Sequence, residues 1–140
     1  MLIEQISIFV ENKAGHLASI TDVIGEADVD IRALLIADTA DFGILRMIVS
    51  DPVKAEAALK KEGYTVVKTH VIAFGVPDEP GGLSRVLRMI SDEGIQVEYL
   101  YAFIGNSKSQ AYVVIKVEDN EKTLGVLKKN DVNIMTSNGI

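Results

Sequence analysis

The sequence contains the same pattern twice, and this repeat limits what the chain can fold into more than any other feature. Residues of the first half recur in kind 66 positions later, as Ile6 and Ile72 do, and the offset grows to 68 toward the end of the repeat. The two additional residues fall in the polar stretch 105–109, which is typical of a hairpin loop, where an insertion is tolerated. A duplication of this kind predicts two related domains, residues 1–68 and 69–140.

Each copy has the same predicted order of secondary structure, βαββαβ. Apolar residues alternate in the strands and recur three to four positions apart in the helices. In the first copy strands are predicted at 3–10, 31–37, 44–49 and 64–67, with one helix after Gly15 and another from Pro52, capped by Asp51. The second copy is predicted as strand 70–76, helix 83–92, strands 96–104 and 110–117, helix 121–129 and strand 131–135, before a frayed tail at 136–140.

The order βαββαβ is the ferredoxin-like arrangement. Each copy is small for an independent hydrophobic core, so we expect the two copies to pack together or to dimerise. The predicted fold class is α+β, with two ferredoxin-like βαββαβ domains in tandem whose antiparallel sheets pack side by side.

Composition argues against several classes of function. The 140 residues carry a formal net charge of −6 and no cysteine, which excludes disulfides, thiol nucleophiles and cysteine-based metal sites. An acidic chain also lacks the basic surface that sequence-independent nucleic-acid binding needs. No apolar run approaches the roughly 18 residues of a membrane span, and the N-terminal residues lack the basic region of a signal peptide. We therefore expect a cytoplasmic protein with no cofactor and no nucleic-acid or membrane partner.

The segment between the first strand and the first helix of each copy follows one pattern. It reads VENKAGHLASI in the first copy and VPDEPGGLSRV in the second. This pattern resembles that of the ACT domain, a small-molecule-sensing module with Asp/Asn-x-Pro-Gly-x-Leu after its first strand. The matching residues are Asn12, Gly15 and Leu17 in the first copy and Asp78, Pro80, Gly81 and Leu83 in the second.

The resemblance to the ACT domain extends to about residue 135. Its Gly-x-Asn-Ile segment is matched loosely by residues 28–31 and 94–97, and the first copy departs from the pattern at Ala14, where the family usually has proline. The resemblance implies a free-standing tandem ACT protein without an attached enzyme, and a ligand held between paired domains. The loop of one domain would then face the start of the second strand of its neighbour.

The chemistry of the two loops suits an amino acid. A strand that turns directly into a helix presents unpaired backbone N–H groups to a carboxylate, and a glycine there lets the backbone approach closely. Side-chain oxygens of Asn12 or Asp78, with Asp30 or Gln96, would accept from the ammonium. The candidate ligand-binding residues are Asn12, Ala14, Gly15, His16, Leu17, Asp30, Ile31, Asp78, Pro80, Gly81, Gly82, Leu83, Gln96 and Val97.

A purely structural interpretation of these residues stays open. Gly15 and Gly81 would relieve a tight turn, and the polar residue three positions before each would cap it. The two histidines, His16 and His70, lack partners at metal-ligand spacing, so no metal site is predicted. Arg85 is interpreted as part of a solvated helix face, with contact to an anionic ligand as the alternative.

We expect a regulatory protein that binds an amino acid or a similar small carboxylate and has no catalytic residues. The sequence contains no nucleophile with a nearby base, no metal cluster and no phosphate-binding loop. Ligand binding would change either the assembly of the chain into a homodimer or its docking to a partner enzyme or regulator. The alternative is a structural module for protein–protein interaction, with exposed strand edges and a vestigial ligand site.

Overall fold

The computed structural model describes residues 1–11, 13–38, 42–105 and 107–140, with the backbone alone at Asp38. The chain divides into two compact units. We call Glu4–Thr69 the first unit, and His70–Ile140 together with Met1–Ile3 the second unit. The domain limits predicted from the repeat stay predictions.

The first unit is a sheet covered by two helices. Its core forms because alternate strand residues and one stripe of each helix are apolar. The elements are β1 (Ile3–Glu11), α1 (His16–Glu26), β2 (Ile31–Asp38), β3 (Phe42–Val49), α2 (Pro52–Lys61) and the start of β4 (Val66–Pro77). Strand β3 lies between β2 and β1, and both pairings are antiparallel. The buried core includes Ile6, Ile8, Val10, Ile20, Ile24, Leu45, Met47 and Leu59.

The second unit repeats this arrangement. Strand β4 pairs with β6 and with β7, and β6 pairs with β5, all antiparallel. The further elements are α3 (Gly82–Asp92), β5 (Val97–Phe103), β6 (Gln110–Val117), α4 (Asn120–Lys129) and β7 (Asn133–Ile134). The core includes Ile72, Phe74, Val86, Ile90, Val113, Ile115 and Leu127. The predicted α+β ferredoxin-like fold is confirmed.

The structure differs from the predicted elements in three places. The strands expected at 64–67 and 70–76 are one strand, β4, because no glycine or proline interrupts residues 66–70. The strand expected at 131–135 shrinks to β7, because Asp131 has a φ of 55° and still closes the end of α4, where its N–H donates to the carbonyl of Lys128. The tail 136–140, expected to fray, contains a 3-10 turn at Ser137–Gly139.

Both second helices begin with the same cap. The Oδ1 atom of Asp51 accepts a hydrogen bond from the N–H of Lys54, and Asp119 does the same for Lys122, each at 3.0 Å. Asp51 and Pro52 occupy the cap and the first helical position that the sequence predicts. Among the helices that the structure describes, none has both the length and the apolar character that crossing a bilayer requires.

Each helix is followed by a residue with positive φ, which is glycine in two of the turns and aspartate in the other two. After α1 the residue in the left-handed conformation is Asp28, and after α3 it is Gly94, its repeat equivalent. After α2 it is Gly63, and after α4 it is Asp131. Each unit therefore has one turn with glycine, which adopts positive φ freely, and one turn with aspartate, which tolerates it at some cost.

Candidate functional site

The last residue before α1 and the last residue before α3 have the same backbone conformation. We call residues 13–15 the first loop and residues 78–81 the second loop. Gly15 has φ 81° and ψ −9°, and Gly81 has φ 85° and ψ −5°. The carbonyl of each glycine accepts the N–H of the residue four positions later, Ser19 and Arg85, at 3.0 Å. The left-handed conformation explains both glycines as turn residues, whether or not a ligand binds.

The second loop requires glycine at a further position. A Cβ atom built at Gly82 would overlap the carbonyl oxygen of Pro77, which already accepts the N–H of Glu79 at 2.9 Å. Gly82 is buried at the start of α3. The backbone at Gly82 therefore packs directly against the backbone at Pro77, because glycine has no side chain to separate them.

A cavity of about 250 Å³ lies in the second unit beside Gly82. Its walls come from the end of β4, the first turns of α3, the start of β6 and the connection from α4 to β7. The lining residues are Gly75, Val76, Pro77, Gly82, Arg85, Val86, Met89, Gln110, Asn130, Asp131, Val132 and Asn133. The cavity therefore combines apolar side chains with one cation, one carboxylate and several amides.

The guanidinium of Arg85 is the cation of this cavity. Its Nη2 atom lies 2.5 Å from Oε1 of Glu79 in the second loop, and the two side chains are 54% and 57% exposed. A guanidinium offers N–H donors in a fork that matches a carboxylate, so the pair joins the second loop to α3. The sequence favoured a solvated Arg85, and the structure places it in an ion pair at the cavity wall.

Two amide side chains close another part of the wall. The Nδ2 atom of Asn133 donates to Oε1 of Gln110 at 2.8 Å. This oxygen lies over Gly75, where a Cβ would come within 2.6 Å of it. The glycine in β4 therefore leaves the space that the amide pair occupies.

The first unit has a histidine in the position equivalent to Gly82. The Nδ1 atom of His16 lies 3.1 Å from the backbone nitrogen of Glu11, which donates to it. The His16 ring also contacts Tyr64, with ring centroids 5.5 Å apart. Tyr64 is the repeat equivalent of Val132, which lines the cavity of the second unit.

The first loop also has its own ion pair. The Nζ atom of Lys13 lies 2.7 Å from Oε2 of Glu11, and both side chains are exposed. This hydrogen bond and the charge of Lys13 lower the pKa of Glu11, and the same contact raises the pKa of Lys13. The carboxylate at the end of β1 is therefore paired with a residue of the first loop, not with a residue of the helix.

The predicted site residues fall into separate groups. Asn12 lies outside the described residues, Ala14 and Leu17 are exposed, and Gly15 and His16 hold the turn described above. In the second loop Asp78, Pro80 and Gly81 are exposed, and Gly82 is the member that lines the cavity. Leu83 faces a different depression on α3, together with Leu87 and Arg88.

The other four predicted residues lie at the opposite ends of the helices. Asp30 and Ile31 follow α1, and Gln96 and Val97 follow α3. An 11-residue helix spans about 16 Å, so neither pair reaches the loop of its own unit. Asp30 is paired with Arg32 at 2.8 Å, and Gln96 lines a separate depression with residues that begin α4. Contact between these residues and a loop stays a prediction.

Most residues of the cavity wall are not among the predicted site residues. Arg85 lies one helical turn after Gly81, so its position near the second loop was available from the spacing. Gln110, Asp131 and Asn133 come from distant parts of the repeat, and only the folded sheet brings them to Gly75 and Gly82.

Comparison with known proteins identifies the family. A family model described as an ACT domain pair matches residues 1–140. The chain belongs to the ACT domain family. The resemblance drawn from the two loops is therefore confirmed, and the ACT domain family is regulatory.

Solved structures match nine tenths or more of this ACT domain pair. Protein BT0572 from Bacteroides thetaiotaomicron is 42% identical, with a TM-score of 0.92 over 98% of this chain and 94% of that one. The regulatory subunits of aspartate kinase from Thermus thermophilus and Thermus flavus are 15% and 14% identical. Their TM-scores are 0.65 and 0.64, covering 90% and 92% of this chain and 90% and 93% of those chains. At these identities the comparison shows that the two subunits have the same fold as this chain. No curated protein matches the sequence.

Proposed function

We propose that this ACT domain pair binds a small carboxylate, an amino acid in the first instance, and acts as a regulatory protein without catalytic activity. The observation that carries this proposal is the cavity beside the second loop, which Gly82 and the cationic residue Arg85 both line. Membership of a regulatory family supports the same function. The two Thermus proteins are regulatory subunits, which agrees with it.

The size of the cavity favours a small ligand. Pockets for drug-sized molecules occupy roughly 300–1,000 Å³, and this cavity is about 250 Å³. An amino acid would place its carboxylate at Arg85 and its ammonium near the oxygens of Gln110 and Asp131. Val86 and Met89 would contact an apolar part of the ligand.

Thermal unfolding in the presence of each free amino acid at millimolar concentration tests this proposal. A ligand at 100 times its dissociation constant stabilises the native state by about 2.7 kcal/mol, which raises the melting temperature by several degrees. The same amino acid as its carboxamide is the matched control, since it lacks the anionic carboxylate. Equal melting temperatures with all twenty amino acids would contradict the proposal.

The response to ligand would be a change in association. We propose that the chain forms a homodimer and that ligand binding changes its affinity for itself or for a partner enzyme or regulator. Sedimentation velocity with and without the stabilising amino acid measures the first of these. Ligand binding without any change in self-association would leave docking to a second protein as the response.

A second candidate function is a protein-interaction module without a ligand. Leu34 and Ile36 favour it, because they lie on the terminal strand β2 and are 50% and 45% exposed. Exposed apolar residues on a terminal strand suit pairing with another chain. Leu34→Lys would then abolish self-association while leaving ligand-induced stabilisation unchanged.

A further inference from the structure

We infer that the two units are not equivalent and that the ligand binds in the second unit, where its carboxylate takes the place of Glu79 on Arg85. At the corresponding positions of the first unit, the His16 ring lies against the Tyr64 ring. This inference rests on the proposed function and assigns it to one of the two repeats.

Three pairs of equivalent residues carry the inference. Gly82 corresponds to His16, Val132 to Tyr64, and Arg85 to Ser19. In the second unit Gly82, Val132 and Arg85 line the same cavity. In the first unit the two rings contact each other, and the Ser19 hydroxyl donates to the carbonyl of Gly15 at 3.0 Å.

The first unit therefore differs from the second in both space and charge. The imidazole of His16 is fixed from two sides, by the Glu11 backbone and by Tyr64. The cation of that loop, Lys13, is paired with Glu11 outside the helix. A carboxylate entering there would have to displace a side chain that has no equivalent in the second unit.

The ion pair of the second unit is suited to exchange. Glu79 and Arg85 are both more than half exposed, and exposed pairs add little to stability, so the protein loses little when they separate. A ligand carboxylate can form two parallel hydrogen bonds with the guanidinium. Once displaced, Glu79 would be free to move with the second loop, and this change links ligand binding to the conformation of that loop.

The acceptors for an ammonium lie on the other walls of the cavity. The carboxylate of Asp131 is the charged group among them, and Oε1 of Gln110 is already held in place by Asn133. A ligand with both a carboxylate and an ammonium group would have partners for each among the lining residues. This predicts amino acids as the ligand class in preference to simple amines.

Nuclear magnetic resonance of the full chain with propionate as the probe tests the role of Arg85. The Nε–H resonance of Arg85 is assigned by its absence in Arg85→Lys, among the four arginines of the sequence. Titration with propionate should shift this resonance, and titration with propionamide, which has the same shape without the charge, should not. A shift of the His16 ring resonances in place of Arg85 would overturn the inference.

Calorimetry with the most stabilising amino acid tests the assignment to one unit. We expect one ligand per chain, about tenfold or more weaker binding in Arg85→Gln, and roughly two- to fivefold tighter binding in Glu79→Gln, where the competing carboxylate is gone. Arg88→Gln is the matched control, because Arg88 is on the same helix and lines a different depression.

The outcomes separate this inference from the proposed function. If an amino acid binds and Arg85→Gln retains its affinity, or if two ligands bind per chain, the proposed function stands and the inference is wrong. If no amino acid binds, both are wrong. Circular dichroism of each variant checks that a loss of binding is not a loss of fold.

Discussion

Gly82 and the carbonyl oxygen of Pro77 are packed so closely that a Cβ atom on Gly82 would overlap that oxygen. This contact closes the turn from β4 into α3 and forms one side of the cavity. His16, the repeat equivalent of Gly82, has a side chain, so the first loop cannot have the same contact. One residue therefore marks the difference between the two copies.

Gly82→Ala should destabilise the second unit. The methyl group must displace backbone, since the atom it meets is a carbonyl oxygen, so we expect a loss of about 2 kcal/mol in the free energy of unfolding. Chemical denaturation measures this loss. Gly125→Ala is the matched control, because Gly125 lies within α4 with nothing near its Cβ position, and alanine there should stabilise by about 0.5–1 kcal/mol. Equal effects of the two variants would contradict the packing argument.

Asp28 and Gly94 offer a second matched comparison, because both end the first helix of a unit with positive φ. Asp28→Gly should stabilise the chain by up to about 1 kcal/mol, since glycine adopts this conformation without strain. Gly94→Ala should destabilise it by about 1 kcal/mol or more for the reverse reason. Denaturation midpoints of the two variants check the signs, and a gain from Gly94→Ala would exclude this explanation.

The fold was predictable because each spacing of apolar residues occurs twice in the sequence, once in each copy of the repeat. The alternation of Ile6, Ile8 and Val10 identifies a strand, and the equivalent residues of the second copy repeat it. The cap at Asp51 was predicted correctly, because aspartate followed by proline is a local pattern typical of the start of a helix. The sequence predicts almost no gap between the strands at 64–67 and 70–76, and in the structure β4 continues through Lys68 and Thr69.

The candidate site was predictable only in part. Gly15 and Gly81 are equivalent in the repeat. Gly82 stands out in the sequence because it is a second glycine directly after Gly81. The orientation of Arg85 toward Glu79 depends on how the second loop folds back. Gln110 depends on the register between β4 and β6, which places it opposite Pro77. No short sequence pattern predicts such contacts, because the residues that form them lie far apart in the chain.

The pKa of Glu11 provides a prediction about pH. Because Lys13 lowers this pKa, Glu11 should titrate below its ordinary range, and the ion pair should be lost as the pH falls through the lowered value. Carbon-13 detection of the Glu11 carboxyl group measures the midpoint. Lys13→Gln should return it toward the ordinary range, and Lys54→Gln, in α2, should not move it. An ordinary midpoint in the unmodified chain would contradict the ion pair.

His16→Ala separates the roles of the two units. The variant loses the contact with Tyr64 and the hydrogen bond from Glu11, so we expect the free energy of unfolding to fall by about 1 kcal/mol. Thermal unfolding measures it, with His70→Ala, an exposed position on β4, as the control. The stabilisation by an amino acid should persist in His16→Ala, because the second loop is intact. If that stabilisation disappears while the fold remains, the ligand binds at the first loop, and the assignment to Arg85 must be abandoned.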